Sequence, residues 1–328
     1  MLQQSILAPT VCDHTAAGPS AASPAGCRRG RLNVWTAYRL GFQLKSGARR
    51  GAAGATRAIA KLAAKPKQLV RCVSPIDYVR YREFDFAFRA AARHAAAPRR
   101  VLDISSPKLI PLTLAGQNPG AQVFATDVLD REVNWVRGAA DRLGLKNVTA
   151  EVQDARSLAY PNDHFDLITS ISVFEHIAPE LDGELPAVRE LARVLAPGGT
   201  AVLTVPFSRK YFADYKAGEV YERSSSAGEP IFFQRFYDHD LLMRNIVRAS
   251  GLELVGLQFI EERFFLKDPR KRMAHYINAS PRQNFWFGPW YPLLSHVFLS
   301  PPKALERCGK PYLACVVLRK PVEPCPVR

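Results

Sequence analysis

Short apolar runs alternate with longer helical patterns in the middle of the chain, between residues 101 and 207. Each run has the length and the β-branched or aromatic content of a buried strand. The predicted strands are Val101–Ile104, Val123–Asp127, Val148–Asp154, Phe165–Ser170 and Thr200–Phe207. Because strands that alternate with helices form βαβ units, the pattern predicts an α/β fold with a mostly parallel sheet and helices on both faces.

Acidic residues stand at the ends of two of these strands. Asp127 ends the second strand and Asp154 ends the third. In open α/β sheets, ligands bind beyond the carboxyl ends of the strands. The placement of the two carboxylates therefore predicts a site for a nucleoside-containing cofactor at this edge of the sheet.

The α/β pattern is interrupted and then resumed in the second half of the chain. An aromatic-rich segment at 209–237 comes first, and a helix at 239–250 and a strand at 252–260 follow it. An insertion at 263–310 is basic at its start and aromatic over 285–291, and it precedes a last strand at 312–318. The insertion therefore separates the last strand from the rest of the predicted sheet.

Positive charge is concentrated near the amino terminus. The chain of 328 residues has a net charge of +15, yet twelve Lys and Arg and no acidic residue lie between Asp13 and Asp77. The remaining chain has 33 basic and 30 acidic residues, so its charge does not indicate nucleic-acid binding. Residues 1–72 are predicted to be a disordered basic tail, and a presequence, a binding arm and a misassigned start codon all fit it.

The remaining composition favours a cytoplasmic protein without a bound metal. None of the six cysteines forms a C-x₂-C pair, so reduced thiols are expected and no metal site is predicted. No apolar stretch follows a basic start as in a secretory signal. The longest uncharged run, between Arg282 and Lys303, contains proline and glycine that would break a spanning helix.

Four signatures in this order resemble those of class I S-adenosylmethionine-dependent methyltransferases of the small-molecule type. They are Val101–Asp103; Asp127; Gln153–Ala155 with Phe165–Ile168; and Val173–Ile177 with Leu191–Gly199. The resemblance implies a Rossmann-like sheet of seven strands, the last one antiparallel. It implies a methyltransferase domain at 73–262 completed by the strand 312–318, with the insertion 263–310 and a tail at 319–328.

The resemblance also implies the cofactor, S-adenosylmethionine, and roles for single residues. Asp127 would accept hydrogen bonds from both ribose hydroxyls, since a carboxylate offers two acceptor oxygens. Asp154 would accept one from the adenine amino group beside the backbone of Ala155. Asp103 would support the first turn, and Ser170 at the end of the fourth strand is a further cofactor-binding candidate.

The first turn departs from the family pattern. Ser105, Pro107 and Leu109 stand where glycines are expected, and proline supplies no backbone N–H. In one hypothesis the hydroxyls of Ser105 and Ser106 replace backbone donors and Lys108 pairs with the carboxylate of the cofactor. In the other, the site has decayed and no longer binds it.

The acceptor is the least defined part of the prediction. His176 follows the fourth strand and is the candidate catalytic base, although simple packing against the sheet explains it equally well. Segment 209–237 suits a polar acceptor, so a small molecule, a glycan or a lipid-linked compound fits, and no nucleic acid is expected. Segment 285–299 offers an apolar wall to the site or a cover packed onto the sheet, and its tryptophans with neighbouring basic residues also suit peripheral contact with a membrane.

Two other classes share parts of this pattern. A nicotinamide-dependent oxidoreductase would share the sheet and the ribose carboxylate, but it needs G-x-G-x-x-G at the first helix, which is absent here. A non-catalytic scaffold would keep the fold without turnover. The sequence leaves the oligomeric state open.

Overall fold

The computed structural model describes residues 33–46, 75–95, 97–221, 223, 229–263, 273 and 286–322. Its helices are α1 Val34–Ser46, α2 Arg80–His94, α3 Leu109–Gln117, α4 Asp130–Leu143, α5 Leu185–Val194, α6 His239–Leu242 and α7 Tyr291–Phe298. Its strands are β1 Arg100–Ile104, β2 Gln122–Asp127, β3 Val148–Val152, β4 Phe165–Ile171, β5 Leu195–Pro206, β6 Phe212–Lys216, β7 Ile231–Phe236, β8 Glu253–Glu261 and β9 Pro311–Arg319.

Seven strands form one sheet in the order β3-β2-β1-β4-β5-β9-β8. The pairs from β3 through β5 are parallel, and β9 runs antiparallel to both β5 and β8. The predicted seven-stranded, mostly parallel, Rossmann-like sheet with an antiparallel last strand is thus confirmed. The carboxyl ends of β1, β2 and β4 lie side by side, which creates the edge where a ligand is expected.

Alternate residues of the central strands face opposite sides of the sheet. Val101 and Leu167 are buried in a core with α2, whereas Leu102 and Ile168 are buried in a second core with α5. Because both faces of the sheet are covered, both sets of alternating residues are apolar, and the central strands are continuous apolar runs in the sequence. Helices therefore cover both faces, as predicted.

The amphipathic pattern of α4 shows how the spacing of apolar residues in the sequence determines where a helix forms. Val133, Val136, Ala140 and Leu143 recur at helical spacing and are buried against the sheet. Gly144 follows with φ 67°, and its N–H donates to the carbonyls of the last turn, so the helix ends there.

Three local differences separate the structure from the sequence prediction. No helix joins β3 to β4, since residues 153–164 form turns with a single bridge between Asp154 and Ser157. β5 begins at Leu195, so Gly198 and Gly199 lie within it. The helix predicted at 239–250 is one α-helical turn followed by a π-helix, Met243–Arg248.

Helix α1 corrects the prediction that residues 1–72 form a disordered tail. Val34, Ala37 and Leu44 lie on one side of α1 and are buried, and α1 packs against α2 and α3. Gly41 lies on the same side, where a Cβ would come within 2.7 Å of Pro75. The low average apolar content of the region concealed these positions; residues 1–32 and 47–74 lie outside the described residues.

The two interrupting segments have different structures. In segment 209–237, β6 and β7 form a separate antiparallel sheet. In segment 263–310 the described part contains α7, and residues 264–272 and 274–285 lie outside the described residues. The tail predicted from 319 begins later, because Arg319 belongs to β9 and the N–H of Lys320 donates to Gly199.

Candidate active site

The turn after β1 needs only one residue in the left-handed region. Ser105 has φ 53°, and its N–H donates to the carbonyl of Thr126 at 2.9 Å. Pro107 suits its position, since its carbonyl accepts the N–H of Ile110 in the first turn of α3. Of the three positions where glycine was expected, only Ser105 has the dihedral angle that favours glycine.

Asp103 is a buried carboxyl that braces this turn. One oxygen accepts the N–H of Ser106 at 3.2 Å, and the other accepts the hydroxyl of Thr169 at 2.6 Å. Burial raises the pKa of Asp103 to about 6, although these hydrogen bonds oppose the shift. The side chain thus joins the ends of β1 and β4.

Asp127 and Lys108, predicted to bind different parts of the cofactor, form an ion pair with each other. Asp127 Oδ1 accepts the N–H of Leu129 at 2.9 Å, and Oδ2 receives the ammonium group of Lys108. Both side chains are largely buried, with exposed fractions of 11% and 16%. The structure therefore places a carboxylate and an ammonium group together at the carboxyl ends of β1 and β2.

Ser106 and Ser170 are buried between β1 and β4. The Ser106 hydroxyl accepts the N–H of Ile171 at 3.0 Å, and the Ser170 hydroxyl donates to the carbonyl of Ile104 at 3.2 Å. Each serine is about 1% exposed. Both hydroxyls hold the strand ends together, and their predicted contact with a cofactor stays a prediction.

Asp154 is held by its neighbour Arg156. The guanidinium group donates to both carboxylate oxygens at 2.6–3.0 Å, and these bonds lower the pKa of Asp154. Ala155 packs partly buried against the core. An adenine amino group at Asp154 would therefore share the carboxylate with Arg156, a contact that sequence reasoning missed.

A cavity of ≈ 270 Å³ opens beside the first turn. Its walls come from α1, from the segment leading into α2, from the turn itself and from Trp135 of α4. Its charged lining residues are Lys45, Asp77, Arg80 and Lys108, and the other lining residues are apolar. The cavity is slightly smaller than the roughly 300–1,000 Å³ of typical ligand pockets.

Glu83 of α2 is a buried carboxylate that the sequence analysis missed. It forms an ion pair with Arg80 and accepts hydrogen bonds from the hydroxyls of Ser172 and Thr204. Through these bonds α2 is tied to the carboxyl ends of β4 and β5. Its position with Ala87 and Ala90 on the apolar side of α2 was the available signal.

Glu175 is a second buried carboxyl at this edge. It is 1% exposed, and its Oε2 has no hydrogen-bond partner among the described residues. Burial and, to a smaller extent, the nearby charge of Glu83 raise the pKa of Glu175 to about 8. The carboxyl therefore keeps its proton at neutral pH.

His176 is neutral at the same pH. Its Nδ1 lies 2.7 Å from the carbonyl of Phe233, which can only accept, so the ring proton resides on Nδ1. Burial lowers the pKa of His176 to about 4. The lone pair of Nε2, 3.7 Å from Glu175, is left available, and the rings of Tyr221 and Phe233 pack around the imidazole.

Replacing Glu175 with glutamine is expected to stabilise the protein increasingly as pH rises from about 5 to 8. The folded carboxyl titrates near 8 and the unfolded one near 4.5, so the folded state of the natural protein holds the extra proton and loses stability through this range. Glutamine has no such proton. Thermal melts of both proteins across this range measure the difference in stability, and a difference independent of pH would contradict the assignment.

The described residues provide neither a metal cluster nor a spanning helix. No group of three or more His, Cys, Asp or Glu among them could hold a metal ion. Cys308 and Cys315 are buried free thiols. Within this part of the chain no helix is long and apolar enough to cross a membrane.

Comparison with known proteins finds similarity in the central part of the chain. Residues 102–203 match a family model described as a methyltransferase domain. A methyltransferase of Claviceps purpurea is 26% identical over 146 residues, 44% of this chain and 43% of the relative. A demethylmenaquinone methyltransferase of Thermus thermophilus is 36% identical over 108 residues, 33% of this chain and 47% of the relative.

Similarity to a solved structure extends further along the chain. The crystal structure of coclaurine N-methyltransferase bound to N-methylheliamine and S-adenosylhomocysteine is 13% identical, with a TM-score of 0.48, over 87% of this chain and 98% of that one. The chain spans less than half the length of the two curated relatives. The matching family model and the four ordered signatures agree, and residues 102–203 of the chain form a methyltransferase domain.

Proposed function

We propose that this protein transfers the methyl group of S-adenosylmethionine to a small-molecule acceptor. The observation that carries the proposal is the position of Asp127 at the carboxyl end of β2, beside the turn after β1. Two carboxylate oxygens at this point suit the two ribose hydroxyls of the cofactor. The family of the domain supports the same cofactor.

Lys108 fits the amino-acid end of the cofactor. It lines the cavity beside the first turn, and its partner in the structure is Asp127. When ribose hydroxyls bind Asp127, a carboxylate near the turn would give the ammonium group a second anionic partner. We therefore assign Asp127 to the ribose and Lys108 to the carboxylate of the cofactor.

The bound cofactor supplies a methyl group that is already activated for displacement. The chain then has to hold the acceptor in line with that group, exclude water and receive any proton the acceptor loses. Nε2 of His176 has the free lone pair for that proton. Burial lowers the pKa of His176 to about 4, so the imidazole is unprotonated at neutral pH and is a weaker base than free histidine.

The proposed acceptor is a hydroxyl-bearing small molecule, free or carried on a glycan or lipid. The β6–β7 sheet contributes aromatic rings beside His176, and Lys216 Nζ lies 3.2 Å from the ring centroid of Phe233. Aromatic faces pack against planar or sugar rings, while the protonated Glu175 could donate a hydrogen bond to a hydroxyl oxygen. A base next to these groups supports a hydroxyl acceptor over an already nucleophilic one.

Replacing Lys108 with alanine is expected to weaken S-adenosylhomocysteine binding about tenfold or more. A partly buried charged hydrogen bond contributes roughly 1.5–3 kcal/mol, whereas an exposed ion pair contributes about 0–1 kcal/mol. Adenosine lacks the amino-acid carboxylate and should bind as before or more tightly. Isothermal titration calorimetry with both ligands measures the two effects.

The same titrations test the proposed function itself. Natural protein should bind S-adenosylmethionine and S-adenosylhomocysteine and show no binding of NAD. Tighter binding of both adenosine compounds to the variant would make Lys108 an occluding side chain. Failure of the natural protein to bind either sulfur compound would favour a non-catalytic scaffold in which the Lys108–Asp127 ion pair closes a decayed site.

A further inference from the structure

Helix α7 and the turn before it present an apolar side to solvent. Trp286, Trp290, Leu293 and Val297 have exposed fractions of 67%, 60%, 56% and 49%. Leu293 and Val297 lie four residues apart on α7, Trp290 ends the 3₁₀ turn Gly288–Trp290 that precedes α7, and Trp286 lies just before that turn. These four residues are called the α7 face below.

The opposite side of α7 is fixed to the domain. Tyr291 and Ser295 are buried there, and the ring of Tyr291 packs edge-on against Tyr78 at 6.4 Å between centroids. Arg82 of α2 donates to the carbonyl of His296 at 3.2 Å. Leu293 and Val297 of α7 are therefore exposed to water, where a surface helix normally carries polar residues.

Arginine side chains lie beside α7. Burial lowers the pKa of Arg82, and the nearby charges of Arg263 and Arg89 also lower it, while the charge of Asp85 opposes the shift. The backbone N–H of Arg263 donates to the carbonyl of Phe298 at the end of α7. In the sequence, residues 269–305 contain no Asp or Glu, and Arg270, Lys271, Arg272 and Arg282 precede the face.

We infer that the α7 face is a docking surface for an anionic lipid bilayer. Tryptophans favour the boundary between headgroups and acyl chains, and a helix with an apolar face and basic flanks lies in that boundary. Arginine and lysine beside it are attracted to anionic headgroups. The helix would lie along the surface without crossing it, and the inference does not depend on the proposed methyl transfer.

Vesicle sedimentation with the full chain tests this inference. The natural protein should sediment with vesicles of mixed phosphatidylcholine and phosphatidylglycerol at about 0.15 M salt and much less with phosphatidylcholine alone. Trp286→Gln combined with Trp290→Gln should reduce the partition coefficient roughly tenfold or more, since both anchors are lost. Leu293→Gln with Val297→Gln is the second variant, and Leu181→Gln, at a residue 68% exposed elsewhere, is the matched control.

The outcomes separate a membrane from other occupants. Loss of sedimentation in both double variants, with unchanged thermal melts and a control that binds normally, supports the bilayer. Equal sedimentation of the natural protein and the double variants would overturn it, because the basic amino-terminal segment would then account for binding. The inference would also be overturned if the natural protein did not bind vesicles but dimerised through the α7 face. Light scattering of the natural protein and the variants measures dimerisation.

Discussion

Replacing Asp127 with alanine is expected to weaken S-adenosylhomocysteine binding by about thirty- to over a hundredfold. The carboxylate is 11% exposed at the carboxyl end of β2, and a lost pair of charge-assisted hydrogen bonds corresponds to roughly 2–3 kcal/mol. Isothermal titration calorimetry measures the change in dissociation constant. A thermal melt checks folding, because the variant also removes the partner of Lys108.

Asp130→Ala is the matched control for this experiment. Asp130 begins α4 three residues further along, is exposed and hydrogen-bonds Asn134 at 2.6 Å. The control should bind S-adenosylhomocysteine as the natural protein does. If Asp127→Ala folds and its dissociation constant equals that of the control, Asp127 does not bind the ribose.

Replacing Arg235 with alanine is expected to lower the free energy of unfolding by about 3–5 kcal/mol. Arg235 and Glu184 form an ion pair in which both side chains are fully buried. The guanidinium group also donates to the carbonyls of Ile177 and Pro179, at 2.5 and 2.7 Å. Without Arg235, the carboxylate of Glu184 would remain buried without its cation, supported only by Asn245 at 2.9 Å and a longer bond from the Tyr237 hydroxyl.

Urea denaturation of the variant and of Arg89→Ala measures this effect. Arg89 pairs with Asp85 at 3.0 Å, but its side chain is 76% exposed, so its loss should change the free energy of unfolding by about 0–1 kcal/mol. Similar small losses in both variants would contradict the buried pair. A large loss in Arg235→Ala alone would show that this pair fixes the segment leading from His176 into α5.

The fold was predictable because its signals are local and repeated. Buried strands with a period of two residues and helices with a period of 3.6 residues recur through residues 100–206, so the α/β pattern is indicated several times. Helix α1 was missed because its apolar residues, among them Val34 and Leu44, stand within a longer region that has few large apolar residues on average. The sequence pattern did not reveal that a loop joins β3 to β4 where a helix was expected, because the order of the strands is the same in both cases.

The candidate site was predictable only in part. Acidic residues at strand ends are visible in the sequence, so Asp127 and Asp154 could be found. The partner of Asp127, Lys108, and the contact of Glu83 with Thr204 could not, because these contacts join residues 19 and 121 positions apart. The states of Glu175 and His176 depend on burial, which no local pattern specifies.

The left-handed backbone conformation of Ser105, a residue other than glycine, affects which sequence signatures detect this kind of domain. Signatures that demand glycine after the first strand reject this chain at Ser105, although the backbone there has the dihedral angle that glycine would supply. Ser172 follows β4 in the same conformation, with φ 54° and an N–H that donates to the carbonyl of Thr204 at 2.9 Å. Profiles that score the dihedral requirement, and admit serine with glycine, would recover relatives that glycine-based signatures discard.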